Sequence, residues 1–204
     1  MEVESERMRK GELTKEQIIQ KSAMLFNRQG YNGVSLNDIT EITGIKRGGL
    51  YRHFASKDEI ALLAYDYAAN VVKEKFMQAM AAKQSATDKL LALFEIYADV
   101  VDHPPFIGGC PMLNTAVEHD DGHLLLREKA QATFRDFYGI VQDLLRQGIH
   151  NEEFRSDLDI DSAASFLISA LEGGIMLSKL EGNNRHIRYG FENIARYLKL
   201  ASLR

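Results

Sequence analysis

The stretch that most constrains this chain runs from Ser35 to Lys57, SLNDITEITGIKRGGLYRHFASK. Ser35 followed three residues later by Asp38 is typical of a helix N-terminus, because each side chain can accept a hydrogen bond from the backbone N–H of the other. Apolar residues then recur on one helical face until Gly44, which can adopt the left-handed conformation that ends a helix. The pattern predicts a short helix followed by a tight turn.

A second short helix is predicted directly after this turn. Leu50 and Phe54 are spaced to face the protein, which leaves Arg47, Tyr51 and His53 to face outward. Two short helices joined by a glycine-containing turn of three or four residues form a helix-turn-helix. The second helix of such a motif fits the major groove of DNA, so the stretch predicts DNA binding.

A longer set of residues strengthens this interpretation: GYNGVS at 30–35, DI at 38–39, GI at 44–45, GLYRHF at 49–54 and SKDE at 56–59. The set closely resembles the DNA-binding domain of TetR/AcrR-type transcriptional repressors, and the resemblance covers roughly residues 14–62. It implies a repressor that leaves a palindromic operator when a small-molecule inducer binds. It also implies an N-terminal three-helix DNA-binding domain and a larger helical domain that binds the inducer and forms a homodimer.

The rest of the chain predicts an all-α fold, since it has three prolines and long apolar repeats at helical spacing. We expect a flexible arm over residues 1–12, a helix-turn-helix domain over 13–57 and a helical ligand-binding and dimerisation domain over 58–204. The first helix is expected to begin at Thr14 and to end at Gly30. The later helices are expected near 57–82, 85–101, 112–118, 123–147, 161–181 and 185–201.

Charge is distributed unevenly along a chain whose net charge is −4. Residues 1–57 carry ten Lys or Arg and seven Asp or Glu, whereas residues 58–204 carry fifteen and twenty-two. A basic head on an acidic body suits a protein whose head alone meets phosphate, although ordinary charge scatter also gives small excesses.

The single cysteine fits a reducing compartment, and neither a secretory signal nor a long apolar span is evident. We therefore expect a cytoplasmic protein without a membrane partner.

The candidate DNA-binding residues lie in or beside the second helix of the motif. Arg47 is the best candidate for reading guanine through hydrogen bonds to O6 and N7, while the absence of side chains at Gly48 and Gly49 would let the helix approach the bases. The family resemblance implies phosphate contacts from Thr40, Tyr51, His53 and Lys57. The full set is Thr40, Lys46, Arg47, Gly48, Gly49, Tyr51, Arg52, His53 and Lys57.

One recognition helix reads only a few base pairs, so specific binding needs two heads. The apolar helix at 161–181 and the last helix are expected to form a two-fold interface as a four-helix bundle, although the apolar helix would also suit the core of a single subunit. The candidate interface residues are Phe166, Ala170, Leu171, Gly174, Ile175, Phe191, Ile194 and Leu198.

Large apolar side chains of the body are candidates for an inducer pocket, and plain core packing is the alternative for each of them. The set is Phe94, Tyr97, Phe106, Cys110, Met112, Phe134, Phe137, Tyr138 and Met176. Cys110 lies at an expected helix start, where a thiolate is stabilised. It could therefore sense oxidants or electrophiles, or it could simply cap the helix.

Acidic and histidine side chains gather near a predicted helix break, at Glu118, His119, Asp120, Asp121 and His123, with His103 nearby in sequence. Their spacing matches no zinc or EF-hand pattern, so we expect neither a metal nor a cofactor. Nucleophile, phosphate-loop and dinucleotide motifs are also lacking. The leading hypothesis is a ligand-responsive repressor. The alternatives are a DNA-binding regulator controlled by a protein partner or by Cys110 modification, and a metal-dependent enzyme.

Overall fold

A computed structural model describes residues 2–119 and 122–202, with side chains from Gly11 onward. The described chain is helical, as the sequence predicts. Its helices are α1 (Glu2–Gly33), α2 (Leu36–Thr43), α3 (Arg47–Leu50), α4 (Lys57–Ala81), α5 (Ala86–Glu95), α6 (Pro111–Glu118), α7 (Leu124–His150), α8 (Ile160–Glu181) and α9 (Arg185–Ala201).

Contacts divide the chain into two compact units. The first, which we call the head unit, comprises Met1–Asn70 and Phe106–Ala130. The second, the body unit, comprises Val71–Pro105 and Gln131–Arg204. The head unit thus contains the whole region expected to form the helix-turn-helix domain, together with α6 and the first residues of α7.

The helix-turn-helix part of the head unit packs around an apolar cluster to which α1, α2, α3 and α4 all contribute. Burial of these side chains removes apolar surface from water and holds the short helices α2 and α3, which are too short to be stable alone. The buried members are Ile18, Val34, Ile39, Leu50, Phe54 and Ile60. The recognition segment is therefore fixed by the packing of its inward side chains.

Helix α1 differs from the prediction at its N-terminal end. It begins at Glu2, so the expected arm is helical and Thr14 lies inside the helix. The Glu, Arg, Lys and Met residues of this segment favour helix, and it contains no proline. At the other end Gly30 interrupts the helix where the sequence predicts, with φ 76° and ψ 166°, and a short helical segment follows this kink to Gly33.

In the body unit, α8 and α9 pack along each other. Gly174 permits this approach, since a Cβ there would lie 3.1 Å from Ile187 Cδ1, and Ser178 Oγ accepts a hydrogen bond from the N–H of Ile187 at 2.8 Å. By length and composition α8 could cross a membrane, with a mean hydropathy of 1.4 over its most apolar 18 residues. Because α8 buries one face, packing inside the body unit accounts for this composition.

Two helix ends of the body unit depart from the sequence prediction. Helix α5 ends at Glu95 and not near 101, because the backbone then changes to turn hydrogen bonds, with the N–H of Ala98 donating to Glu95 O at 2.9 Å. Farther on, Asn184 Oδ1 accepts the N–H of Val101 at 3.0 Å. Helix α7 passes through Gly148, the predicted stop, to His150. Gly148 serves close packing, since a Cβ there would lie 2.3 Å from the Phe154 ring.

Candidate nucleic-acid interface

The first helix of the motif forms as its capping pattern predicts. Ser35 Oγ accepts the N–H of Asp38 at 3.2 Å, and Asp38 Oδ2 accepts the N–H of Ser35 at 2.7 Å. Donation from the Ser35 N–H, together with the nearby Ser35 side chain, stabilises the carboxylate and holds the pKa of Asp38 below its usual range. Gly44 ends the helix in the left-handed conformation, with φ 74°, and its N–H donates to Thr40 O at 2.9 Å.

The second helix, α3, is a short helix whose hydrogen bonding continues as turns beyond Leu50. The N–H of Tyr51 donates to Arg47 O at 3.1 Å, and the N–H of Phe54 donates to Leu50 O at 3.0 Å. Leu50 and Phe54 are buried, whereas 52% of Tyr51 is exposed. Leu50, Phe54 and Tyr51 therefore face as the sequence indicates, whereas His53, expected to face outward, is half-buried.

Most of the candidate DNA-binding residues share the open surface of the motif. Thr40 and His53 are half-buried, and the exposed ones are Lys46, Arg47, Gly48, Tyr51 and Arg52. A shallow depression of about 330 Å³ lies beside them, and Asn37 and Glu41 on α2 also line it. The sequence pattern did not indicate either of these residues. Asn37 lies three residues before Thr40, a spacing that places both on one helix face.

The two adjacent glycines have different surroundings. At Gly48 an added Cβ would meet nothing within 4 Å, so the protein itself does not require glycine there. Gly49 is buried, and a Cβ there would lie 2.7 Å from Ile45 Cγ2. The expectation that Gly49 allows close approach to bases needs correction, because this glycine faces the protein and allows the turn to pack on α3.

Lys57 is directed inward, unlike the other candidate cations. Its Nζ donates to Tyr31 O at 2.6 Å and lies 4.0 Å from the centre of the Tyr31 ring. Burial lowers the pKa of Lys57, against the opposing effect of Asp58. The ammonium therefore already has a partner inside the head unit, a geometry that the sequence pattern did not reveal.

Two family models match the chain. Residues 18–64 match the model described as bacterial regulatory proteins of the tetR family. Residues 86–194 match the model described as the tetracyclin repressor-like C-terminal domain. The chain belongs to the TetR family of transcriptional regulators.

Solved structures and curated relatives of this TetR-family chain agree with the assignment. A TetR transcriptional regulator from Chloroflexus aurantiacus J-10-fl has 36% identity and a TM-score of 0.90, covering 94% of this chain and 96% of that one. The HTH-type transcriptional regulator LmrA of Bacillus subtilis is 26% identical over 84% of this chain and 89% of its own length. The TetR-family regulator CifR, solved as a cysteine mutant with 26-base-pair operator DNA, shares the fold at 20% identity and a TM-score of 0.78, covering 89% of this chain and 94% of that one. These relatives are regulators and not enzymes.

The candidate interface residues of this TetR-family chain fall into two groups. Leu171, Ile175, Ile194 and Leu198 are buried inside the body unit with at most 1% of their surface exposed, and Gly174 is also buried. The four large side chains therefore pack in the core of one subunit, whereas Gly174 also lines an open groove along α8 and α9. A partner contact at these five positions stays a prediction. Phe166 is 43% exposed, and Ala170 and Phe191 are partly exposed. The sequence pattern could not distinguish the face of α8 and α9 that packs inside the subunit from the neighbouring face that stays open, because both are apolar.

The candidate inducer-pocket residues are divided between the two units. Phe94, Tyr97 and Phe137 are buried in the body unit, while Phe106, Cys110 and Met112 are buried in the head unit. Phe134 and Met176 are largely exposed, and Tyr138 donates its hydroxyl to Asp161 O at 2.9 Å. Cys110 caps α6, its Sγ accepting the N–H of Leu113 at 3.5 Å. This contact favours the capping role of Cys110.

The acidic and histidine side chains near the helix break have separate partners. His103 pairs with Asp99 in the body unit, while Glu118, His119 and His123 surround Tyr31 in the head unit. Within residues 2–119 and 122–202, no three such side chains are placed to hold a metal ion. Asp120 and Asp121 lie outside the described residues.

Proposed function

We propose that this TetR-family regulator is a homodimeric repressor that binds a palindromic operator and is released by a small-molecule inducer. The observation that carries the proposal is the outward surface of the motif, where Lys46, Arg47, Tyr51 and Arg52 are exposed on a segment whose inner side is fully packed. Such a surface can enter the major groove without rearrangement of the protein. The place of action is then the cytoplasm, where bacterial DNA lies.

Arg47 is the residue that we expect to read a base. It starts α3, it is exposed, and its guanidinium can donate two parallel hydrogen bonds to guanine O6 and N7. Gly48 beside it leaves the helix surface open. Tyr51, Arg52 and Lys46 then contact phosphates or flanking bases.

A groove on the body unit supports the homodimer. Its volume is about 670 Å³, and it lies along α8 and α9 with an apolar lining that includes Phe166, Ala170, Leu177, Tyr197 and Leu200. Leu177 and Leu200 are exposed by 39% and 71%. An isologous contact of α8 and α9 with the same helices of a partner would cover these side chains and form a four-helix bundle.

The inducer is expected to act through the body unit. Its core contains an aromatic group in which the rings of Phe76 and Phe137 stack at 5.0 Å and Tyr97 lies 6.3 Å from Phe76. Ligand response is typical of TetR-family repressors. We therefore expect an effector with an apolar or aromatic part.

Selection of bound sequences from random DNA with the purified protein tests the proposal. A two-fold symmetric consensus is expected, and Arg47→Ala should relax one base position in each half-site, whereas Arg28→Ala, which removes an exposed cation on α1, should not. Small molecules are then screened for loss of the operator complex. Failure to select any palindrome would contradict the repressor, and an operator that no compound releases would favour control by a protein partner.

Leu177→Glu tests the homodimer. The substitution puts a charge into the groove, so sedimentation should show a monomer and operator affinity should fall at least a hundredfold. Met77→Glu is the matched control, because it places the same charge on an exposed apolar site of α4 in the body unit. A Leu177→Glu dimer of normal affinity would remove α8 and α9 from the interface.

A further inference from the structure

The kink at Gly30 leaves two backbone groups of α1 that need partners from elsewhere. In a straight helix the N–H of Tyr31 would donate to the carbonyl of Asn27. Gly30 has φ 76° and ψ 166°, which is not helical and interrupts the hydrogen bonding at this point. Buried backbone groups rarely stay unpaired, so the end of α1 depends on what faces it.

Helix α6 supplies both partners from one of its faces. Asn114 Nδ2 donates to Asn27 O at 3.0 Å, and Glu118 Oε2 accepts the N–H of Tyr31 at 2.8 Å. The other oxygen, Glu118 Oε1, accepts the N–H of Asn32 at 2.9 Å. Asn114 and Glu118 are four residues apart, so they lie side by side on α6. The helix replaces the interrupted backbone bond of α1 with two side chains.

The fit around these bonds is close. A Cβ at Gly30 would lie 2.6 Å from Glu118 Oε2, so the carboxylate occupies the space that any other residue would need. At the start of the same contact, Gly108 has φ 96°, and a Cβ there would lie 2.4 Å from Asn27 O. Asn27 Nδ2 also donates to Ile107 O at 2.8 Å. Residues of α1 and residues in and just before α6 therefore both contribute to this contact.

Glu118 also lies next to the group that joins α1 to the start of α4. Tyr31 donates its hydroxyl to Asp58 and its carbonyl accepts Lys57 Nζ. His119 and His123 contact the edge of the Tyr31 ring at centroid distances of 5.9 and 5.2 Å. A shift of the Tyr31 backbone would therefore also move Lys57 and Asp58, which directly follow the recognition segment.

We propose that Glu118 is a positioning residue for DNA recognition: by binding the Tyr31 and Asn32 amides it fixes the kinked end of α1, and with it the helix-turn-helix, on the α6 segment of the head unit. The proposal rests on the operator binding proposed above. Loss of the carboxylate frees the end of α1 and lets the recognition segment take a range of orientations. Two heads with loose orientation bind two half-sites less tightly and discriminate less between half-site spacings.

The test measures operator affinity of full-length Glu118→Ala and Glu118→Gln on the selected palindrome and on versions whose half-sites are one or two base pairs closer or farther apart. Glu118→Ala should lose at least tenfold in affinity for the best spacing and much of the wild-type preference for that spacing. Glu118→Gln keeps one acceptor oxygen, so its operator affinity should lie between those of Glu118→Ala and wild type. Glu128→Ala, which removes an exposed carboxylate of α7 in the same unit, should stay within twofold of wild type.

Spacing preference separates positioning from general destabilisation, since a partly unfolded protein binds every spacing less well in the same proportion. Hydrogen exchange of the Tyr31 and Asn32 amides, measured without DNA, should be faster in Glu118→Gln than in wild type. Unchanged spacing preference, or unchanged exchange at both amides, would overturn the positioning role. If wild type itself selects no palindrome, the proposed repressor function fails, while the exchange rates still test the contact itself.

Discussion

Two surfaces of the head unit are built in opposite ways. On the recognition surface, Arg47 and Tyr51 project from a segment that the protein holds only from behind. At the contact between α1 and α6, the side chains of Asn114 and Glu118 form hydrogen bonds with backbone groups of α1. The same contact requires glycine at position 30. The first surface leaves its side chains available to a partner, whereas the second uses its side chains to complete the fold. Substitutions on the two surfaces should therefore separate binding from stability.

The largest effect on stability is expected at Gly30. Its backbone lies in a region that only glycine occupies readily, where other residues cost about 1–3 kcal/mol, and a Cβ would also press on Glu118 Oε2 at 2.6 Å. Gly30→Ala should lower the free energy of unfolding by about 3 kcal/mol in urea titration. The control is Gly139→Ala in α7, where a Cβ meets nothing within 4 Å and alanine should stabilise.

A double substitution sharpens this prediction. In a Glu118→Ala background the steric part of the Gly30→Ala effect should disappear while the backbone strain stays. The two changes should therefore be less than additive. Strict additivity would mean that Glu118 does not occupy the space in front of Gly30.

The next effect concerns DNA binding through Arg47. Arg47→Ala should weaken specific operator binding by about 1–3 kcal/mol, because it removes hydrogen bonds to one base position in each half-site. Unfolding free energy should change little, since the side chain is exposed. Titrations against operators mutated at each position measure this. Equal losses on every operator variant would reduce Arg47 to a phosphate contact.

Gly48 and Gly49 show the same difference between binding and stability within one helix. Gly49→Ala should destabilise the protein by about 1–2 kcal/mol, because its Cβ would overlap Ile45 Cγ2. Gly48→Ala should leave stability unchanged or slightly raised, and should lower operator affinity if the bases approach this point. Thermal unfolding and operator titration of both variants decide whether the two glycines serve different purposes.

The smallest effect is a pH dependence at Tyr31. Burial, together with the hydrogen bond to Asp58, raises the pKa of Tyr31 to about 12. Because the folded-state pKa lies above the unfolded value near 10, the stabilisation is complete below pH 10 and is lost as the pH rises towards 12. Relative to Tyr31→Phe, wild type should lose about 1 kcal/mol across this window once solvent screening is allowed for. A constant difference between the two proteins from pH 9 to 12 would show that the hydroxyl is not held.

Local sequence signals predicted the helix-turn-helix well because its determinants are local. The bonds between Ser35 and Asp38, the left-handed Gly44 and the inward spacing of Leu50 and Phe54 all depend on residues within a few positions of each other. The same holds for the N-terminus of α6, where Pro111 takes the first turn.

Contacts that are evident only in the folded chain explain what the sequence did not predict. Gly49 faces Ile45, Lys57 binds the carbonyl of Tyr31, and Gly148 admits the ring of Phe154. For each of these residues the sequence also suggests another role: approach to bases for Gly49, a phosphate contact for Lys57 and a helix end for Gly148. Only the folded chain shows which contact each one makes. Apolar faces of α8 that pack inside the subunit and faces left open have the same composition, so the residues of a partner contact could not be told apart by pattern.

The pairing of Asn114 and Glu118 with α1 also sets a rule for insertions and deletions. A single residue added or removed between these two positions would rotate one side chain by about 100° around α6 and take it off the shared face. The three intervening residues therefore have a fixed number although their identities can vary. Related chains that keep a kinked α1 should preserve this count, and length changes should occur instead after Glu118, in the segment that precedes α7.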